Sequence, residues 1–182
     1  MTQLNLTRPI IFFDIEATGL QIARDRIVEL SYIKVFPDGR EESKTLRFNP
    51  EMHISAEATA VNGIKDEDVA DCPTFKEKSG ELTAIFQSCD LAGFNSNVFD
   101  VPMLVEEFAR AGSDFDITKS KLVDVQTIYH KLEPRNLIAA YKFYCNKDLH
   151  NAHTAMADTQ ATYEVLKAQL EKYGKELQGN VG

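Results

Sequence analysis

Two acidic residues end an apolar stretch near the start of the chain. Asp14 and Glu16 close the run that begins Ile10-Ile11-Phe12-Phe13, whose composition predicts a buried central strand. Because strand side chains two residues apart point to the same face, both carboxylates should project together, where their like charges repel. A divalent cation would neutralise them, and oxygen ligands of this kind favour Mg²⁺ or Mn²⁺ with phosphate oxygens. The pair therefore predicts phosphate chemistry, although a turn-capping Asp14 and a solvated Glu16 would give the same pattern.

Two further acids stand at predicted helix starts. Asp100 follows a short apolar strand and a polar turn, and Asp158 lies near the beginning of a long helix that Thr154 could cap. On that helix Asp158 shares a face with Ala161 and Val165, which is the side expected to pack inward. An inward acid requires a partner, so Asp158 is a candidate ligand. Asp100 taken alone is also explained by the preference of acids for a helix N-terminus.

Three short segments, in this order, resemble the motifs of the DEDDh (DnaQ-like) 3′–5′ exonuclease family. They are Asp14-x-Glu16, Phe99-Asp100, and His153 with Asp158 five positions later. The resemblance extends from about residue 9 to about residue 170 and is nearest to the proofreading-subunit branch of that family. It implies an α/β, ribonuclease-H-like fold, in which a mixed central sheet with an antiparallel hairpin is flanked by helices.

The resemblance also implies a role for each motif residue. Two ions, Mg²⁺ or Mn²⁺, would be held by Asp14, Glu16, Asp100 and Asp158. Two cations about 4 Å apart can stabilise both the attacking and the leaving oxygen of a phosphodiester. His153 would be the general base, since an imidazole with an ordinary pKa near 6.5 suits that task near neutral pH. Taken alone, His153 could instead be a capping or core histidine, and the nearby His150 lies outside the motif.

The terminal nucleotide is expected to contact residues around the first two motifs. The candidate substrate-binding residues are Ala17, Thr18, Gly19, Leu20, Asn62, Asn95 and Phe99. Gly19 would let the backbone approach the nucleotide, and Leu20 could pack against a base without reading its identity. Asn62 replaces a histidine that is common in the family, and either Asn95 or Asn97 could supply the amide of the second motif.

Length and composition are typical of one compact enzyme domain. The 182 residues are 43% hydrophobic, which predicts a single exonuclease domain over residues 1–182 with its core at about 9–173. No apolar run is long enough to span a membrane and the N-terminus lacks a signal-peptide pattern, so a cytoplasmic protein without membrane contact is expected. Three cysteines without a Cys-x-x-Cys pair, Cys72, Cys89 and Cys145, predict reduced thiols rather than disulfides or a zinc site.

The net charge of −8 is unfavourable for binding nucleic acid. Affinity for phosphates grows with the number of Lys and Arg contacts, so weak intrinsic binding is expected. Basic residues are nevertheless frequent between residues 117 and 150, where the chain contains Lys119, Lys121, Lys131, Arg135, Lys142 and Lys147. They could form a mild positive track, and they could equally be ordinary solvated helix faces.

The order of predicted elements suits the implied fold. Besides the first strand, strands are expected at 26–36, 42–48, 90–94 and 121–125, with a turn at 37–39. Helices are expected at 55–61, 74–87, 98–111, 137–145 and 154–173.

The expected function is metal-dependent 3′–5′ exonucleolytic hydrolysis of single-stranded DNA, of the proofreading or repair type, with nucleoside monophosphates as products. A replicative polymerase is a candidate partner because of the resemblance to proofreading subunits. A sliding clamp is another, because Gln3-Leu4-Asn5-Leu6 faintly resembles clamp-binding peptides. Alternatives are a 3′–5′ exoribonuclease of the oligoribonuclease or ribonuclease T type, and a non-catalytic interaction module of the same fold. A haloacid-dehalogenase-like phosphatase is disfavoured, because such enzymes require an aspartate in place of Glu16.

Overall fold

The computed structural model describes residues 4–176. The chain divides into two compact units, the first ending at Thr127 and the second beginning at Ile128. The single exonuclease domain expected over residues 1–182 stays a prediction. Gln3, the first residue of the clamp-like peptide, lies outside the described residues.

A five-stranded mixed sheet forms the centre of the first unit. Its strands are β1 (Ile10–Ala17), β2 (Ile27–Val35), β3 (Glu41–Arg47), β4 (Asp90–Gly93) and β5 (Leu122–Asp124). Their order across the sheet is β3-β2-β1-β4-β5. The pairs β1–β2 and β2–β3 are antiparallel, whereas β1–β4 and β4–β5 are parallel. The expected mixed sheet with an antiparallel hairpin is thereby confirmed.

The helices of the first unit occupy the connections between strands. They are α1 (Ala56–Asn62), α2 (Asp66–Val69), α3 (Phe75–Phe86) and α4 (Asp100–Arg110), and α5 (Val125–Leu132) runs across the boundary between the units. A capping box starts α3, because the Thr74 hydroxyl accepts from the Glu77 N–H while the Glu77 carboxylate accepts from the Thr74 N–H. Neither α2 nor α5 was expected from the sequence.

Side chains along β1 alternate between the hydrophobic core and the face that carries the candidate catalytic acids. Ile11, Phe13, Ile15 and Ala17 belong to the main hydrophobic core, where the Phe13 ring meets Phe86 edge to face at 5.9 Å. The intervening positions, which include Asp14 and Glu16, are less buried. The apolar half of the strand therefore anchors the acids on a rigid element.

The second unit contains the helices α6 (Leu137–Cys145) and α7 (Ala155–Tyr173). Tyr141, Ala161 and Val165 form its small core. Glu164 accepts hydrogen bonds from the Lys147 ammonium at 2.7 Å and the Tyr141 hydroxyl at 2.9 Å. Lys147, followed by Gln160 and Tyr141, lowers the pKa of Glu164 to about 2. No helix within residues 4–176 has the length and apolar character needed to cross a bilayer.

Candidate active site

The two acids of the first motif lie on one face of β1, as their spacing predicts. Asp14 is exposed and Glu16 is half-buried, whereas Ile15 between them is buried in the core. The antiparallel ladder places Asp14 opposite Ser31 and Glu16 opposite Glu29. The register then shifts between Glu16 and Ala17, which is the kind of irregularity that re-aims side chains at the end of a strand.

Glu29 is an acidic neighbour that the sequence analysis missed. Its position on β2, directly across the ladder from Glu16, brings a further carboxylate to this face of the sheet. Its charge is balanced by Arg47, whose Nε lies 2.7 Å from Glu29 Oε2. A register between the first and second predicted strands would have shown the pairing, because residues opposite each other on neighbouring strands are in side-chain contact.

Asp100 joins this acidic cluster from the first residue of α4. Its side chain is buried, with 7% exposure, and its Oδ1 accepts the backbone N–H of Ile15 at 3.1 Å. This bond ties the helix N-terminus to the strand between the two acids of the first motif. Asp100 is thus both an acid at a helix N-terminus and a member of the acidic cluster.

The three acids resist ionisation in this environment. Burial raises the pKa of Asp100 to about 6. The hydrogen bond from the Ile15 N–H acts in the opposite direction, and the charge of Asp14 raises the pKa further. Partial desolvation by the surrounding atoms, and then the charge of Glu29, raise the pKa of Asp14. Burial and then Asp14 raise the pKa of Glu16, while the Asn62 amide acts in the opposite direction. Burial and mutual repulsion together would favour a bound cation.

The raised pKa of Asp100 predicts a pH-dependent stability of the metal-free protein. Its pKa lies above the unfolded value, so the charged form opposes folding, and this loss appears as pH rises from about 4 through about 6. In EDTA, Asp100→Asn should therefore become more stable than the wild type by about 1–3 kcal/mol above pH 7, and the gain should vanish near pH 4. Denaturant unfolding at several pH values measures the difference.

Asp114→Asn is the matched control for this prediction, since Asp114 is an exposed aspartate outside the acidic cluster. It should show no comparable pH-dependent gain. A constant difference between Asp100→Asn and the wild type from pH 4 to pH 8 would contradict the assignment of Asp100 as a buried, repelled carboxylate.

His153 and Asp158 lie together in the second unit. The backbone N–H of His153 donates to Asp158 Oδ1 at 3.2 Å, and Asp158 is half-buried in the first turn of α7. His153 is exposed and has a φ of 74°, a left-handed conformation that is uncommon for histidine. Thr154 precedes the helix as expected, but its hydroxyl donates to the Asn151 carbonyl and does not cap α7. Asp158 accepts the N–H of His153, which lies just before the helix, so it fixes the entry of the chain into α7.

A cavity of about 410 Å³ opens beside Glu16 in the first unit. Its lining includes six of the seven predicted substrate-binding residues: Ala17, Thr18, Gly19, Leu20, Asn62 and Phe99. Leu20 and Val61 are strongly exposed at its wall, at 84% and 87%. The volume lies within the range of small-ligand sites and the lining is mainly apolar with a few polar groups, so the cavity suits a nucleotide.

Asn95 lies outside this lining and has a different structural environment. Its backbone is left-handed, with a φ of 58°, and its N–H donates to Asp124 Oδ1 at 2.9 Å. Asp124 also accepts the N–H groups of Asn97 at 3.3 Å and Gln126 at 3.0 Å. This buried carboxylate, which the sequence analysis passed over, therefore shapes the turn of the second motif and begins α5. The substrate contact assigned to Asn95 stays a prediction.

Three of the six basic residues named between 117 and 150 are paired with acids. Lys119 lies 3.5 Å from Asp116, Lys142 lies 3.2 Å from Asp148, and Lys147 is bound to Glu164. These ion pairs favour ordinary solvated helix faces over a track of unpaired positive charge.

Comparison with known proteins agrees with the three motifs. The profile described as RNase_T, exonuclease, matches residues 11–166, which is most of the chain. The chain belongs to the exonuclease family. The DNA polymerase III PolC-type of Caldanaerobacter subterraneus is 27% identical over 172 residues, and that of Bacillus subtilis is 28% identical over 183 residues. Each alignment covers 94% of this exonuclease-family chain but 12% of the polymerase, so the chain spans about an eighth of the length of these relatives.

Solved structures confirm the fold. Exonuclease I of E. coli, crystallised with single-stranded DNA and zinc, has a TM-score of 0.63 and 19% identity, covering 92% of this chain and 41% of that one. The same enzyme with a dT13 oligonucleotide has a TM-score of 0.61 and 17% identity, covering 97% and 44%. The five-stranded mixed sheet flanked by helices is therefore the ribonuclease-H-like exonuclease fold.

Members of this family generally use divalent metal ions, and the acids of the first unit fit such ions chemically. They offer oxygen donors only, and their raised pKa values show that charge at this position lacks compensation. Within residues 4–127, no group of three His, Cys, Asp or Glu side chains is placed to hold a metal ion by itself. The donor set is that of a hard cation whose remaining ligands are water and phosphate oxygens.

Proposed function

We propose that this chain is a metal-dependent 3′–5′ exonuclease that removes nucleoside monophosphates from the 3′ end of single-stranded DNA. The observation that carries the proposal is the cluster of Asp14, Glu16 and Asp100 beside a nucleotide-sized cavity, in a chain of the exonuclease family. Glu16 lines this cavity, so a terminal nucleotide bound there would bring its phosphodiester toward the acidic cluster.

The residues proposed to hold Mg²⁺ or Mn²⁺, two ions in all, are Asp14, Glu16, Asp100 and Asp158. When bound, such ions supply charge stabilisation for the attacking and leaving oxygens of the phosphodiester. The rigid support of β1 and α4 holds the first three carboxylates in place, because Ile15 is buried between two of them and donates its N–H to the third. Precise placement of this kind is what positions a reacting phosphate.

His153 is proposed as the general base, with Asp158 as its close neighbour. The His153 side chain is exposed, so its ring is accessible to water, and its backbone is held by the bond from its N–H to Asp158. Removing a proton from water as it attacks the phosphorus is a task for which imidazole is well suited. The support for this role is the third motif rather than any contact within the second unit.

The substrates and names of the similar proteins favour DNA over RNA as the substrate. The matched relatives are DNA polymerases of the PolC type, and the matched exonuclease I structures contain single-stranded DNA. An exoribonuclease remains the second candidate, because the family profile also carries the name RNase_T. The proposed partners are 3′ ends of single-stranded DNA and a replicative polymerase or sliding clamp, and the cytoplasmic location stays a prediction.

Degradation of matched oligonucleotides tests the proposal. A 5′-labelled single-stranded DNA, the same sequence as RNA, and a duplex with a mismatched 3′ end should be incubated with Mn²⁺ or with EDTA. The expected result is a ladder of shortened, still-labelled DNA that requires metal, forms more slowly from RNA, and stops when the 3′ end is blocked. Immediate release of the label, cleavage of circular DNA, or faster loss of RNA would contradict the assigned polarity, mode or substrate.

A further inference from the structure

The loop between β1 and β2 folds around a buried carboxylate that has no part in the proposed chemistry. Asp25 is 6% exposed, and its Oδ1 accepts the Thr18 hydroxyl at 3.0 Å while its Oδ2 accepts the Gln21 N–H at 2.8 Å. The Thr18 hydroxyl in turn accepts the N–H of Arg26 at 3.0 Å. Both carboxylate oxygens thus bind groups at the start and the middle of the loop, so Asp25 determines its shape.

Gly19 shows how closely the loop is packed on this carboxylate. A Cβ atom at position 19 would lie 2.6 Å from Asp25 Oδ2 and 2.8 Å from its carboxyl carbon, closer than real contacts allow. The φ of Gly19 does not fall in the left-handed region, so backbone conformation does not require a glycine here. The close approach of the Asp25 carboxylate does. The residues in this tight segment line the 410 Å³ cavity, and they include Leu20 and Gln21.

Helix α4 clamps the far side of the same loop. The guanidinium of Arg110 donates to the Asp25 carbonyl at 2.9 Å and to the Ile22 carbonyl at 2.8 Å. One turn earlier, Glu107 is 1% exposed, and its Oε1 accepts the Arg26 Nε at 2.8 Å and the Ile27 N–H at 3.1 Å. Charge-assisted bonds in a buried setting are the strong ones, so the loop is fixed to the end of this helix.

The same helix begins at Asp100. Its first residue is bonded to the Ile15 N–H of β1, and its last residue, Arg110, is bonded to the loop that follows β1. A single rigid helix therefore links one member of the acidic cluster to the wall of the cavity. The two attachments of α4 therefore hold the loop against the same element that carries Asp100.

We propose that Asp25 is a positioning residue for the terminal nucleotide, and that Arg110 tethers the same loop to α4. This inference rests on the proposed function. Neither side chain is required to touch the reacting phosphate, and their effect is transmitted through the loop that carries Leu20 and Gln21. Loss of the carboxylate releases the Thr18 hydroxyl and the Gln21 N–H, so the cavity wall loses its fixed shape while the acids of β1 keep theirs.

Three variants separate this role from a general loss of structure. Asp25→Ala removes both acceptors, and Asp25→Asn retains one oxygen for the Gln21 N–H while its amide can donate to the Thr18 hydroxyl oxygen. Asp38→Ala is the matched control, because the exposed Asp38 also accepts a backbone N–H within a turn, that of Arg40 at 3.0 Å. The control turn joins β2 to β3, and its residues do not line the cavity.

Steady-state kinetics on single-stranded DNA should show the effect in KM. For Asp25→Ala, we expect KM to rise about tenfold, the loss expected when a buried network is left unpaired, with kcat changed less than about threefold. Asp25→Asn should recover most of that loss, and Asp38→Ala should match the wild type. Hydrogen exchange should show faster exchange of the Gln21 and Arg26 amides in Asp25→Ala, with the amides of β1 unaffected.

Arg110→Met provides the second test if Asp25→Ala does not fold. It removes the donors to the Asp25 and Ile22 carbonyls from a partly exposed site and should likewise raise KM more than it lowers kcat. An inactive wild-type protein would overturn the proposed function. An active wild type whose Asp25→Ala or Arg110→Met variant has an unchanged KM, or a KM and kcat altered in equal measure with no recovery in Asp25→Asn, would overturn only the positioning role.

Discussion

Replacing Asp14 by alanine should abolish nuclease activity without unfolding the protein. Asp14 lies on the rigid strand β1 among acids that raise one another's pKa, and no hydrogen bond of its side chain within residues 4–176 holds the fold together. Its loss relieves repulsion with Glu29 and Asp100, so stability in EDTA should be equal to or higher than that of the wild type. Activity should fall by about 10³-fold or more, because cation-mediated charge stabilisation is worth several kcal/mol.

Oligonucleotide hydrolysis and thermal unfolding, each with Mn²⁺ and with EDTA, measure this prediction. The increase in melting temperature that Mn²⁺ gives the wild type should shrink in Asp14→Ala. Asp14→Asn retains the shape of the side chain and removes its charge, so it should be nearly as inactive. Asp71→Ala changes an exposed aspartate outside the cluster and should behave like the wild type in both measurements. An active Asp14→Ala variant would contradict the metal-dependent mechanism.

Where one local pattern determines the structure, the sequence was a good guide. Helix α6 has the predicted bounds, and the strands and long helices differ from expectation by about one or two residues at their ends. The common face of Asp14 and Glu16 follows from the two-residue period of a strand, which holds in any tertiary context. The three motifs correctly identified the family because their order and spacing carry more information than any one of them.

The missed elements depend on interactions that a local pattern does not show. Helix α5 begins with Val125 and contains two other β-branched residues, which are weak helix formers. It forms where Asp124 accepts the Gln126 and Thr127 N–H groups. This N-terminal cap stabilises the helix despite its weak helix formers. An aspartate before a short amphipathic stretch was the available signal.

The residues that support the site do not belong to the three motifs, so motif analysis could not identify them. Glu29 joins the acidic cluster through strand register, and Asp25 binds a loop that begins seven residues earlier with Thr18. Arg110 reaches that loop across 85 positions of sequence. Such contacts are set by how α4 packs against the sheet, so they become visible only when the core has been assembled.

Removing the imidazole of His153 should slow hydrolysis by about 10²- to 10⁴-fold, the usual range for loss of a general base. His153 is exposed, and the hydrogen bond to Asp158 comes from its backbone, so the side chain contributes little to the fold. Stability and the increase in melting temperature with Mn²⁺ should therefore stay close to wild type. The acidic limb of the pH dependence of kcat/KM should disappear together with the base.

The choice of replacement matters because position 153 has a φ of 74°. Alanine tolerates this left-handed backbone poorly, whereas asparagine adopts it more readily, so His153→Asn keeps the local conformation while removing the base. If His153→Asn and His153→Ala lose the same activity, the imidazole is responsible. Recovery in His153→Asn would show that the backbone conformation, rather than the ring, is what the reaction requires.

His150 supplies the internal control for this assignment. It is exposed, lies in the same short segment before α7, and stands outside the third motif. His150→Ala should retain nearly full activity and an unchanged pH profile. A loss confined to His150→Ala would assign the base to the other histidine. Full activity in both single variants and in the double variant would show that neither imidazole takes the proton, and the base would then have to be sought among the carboxylates.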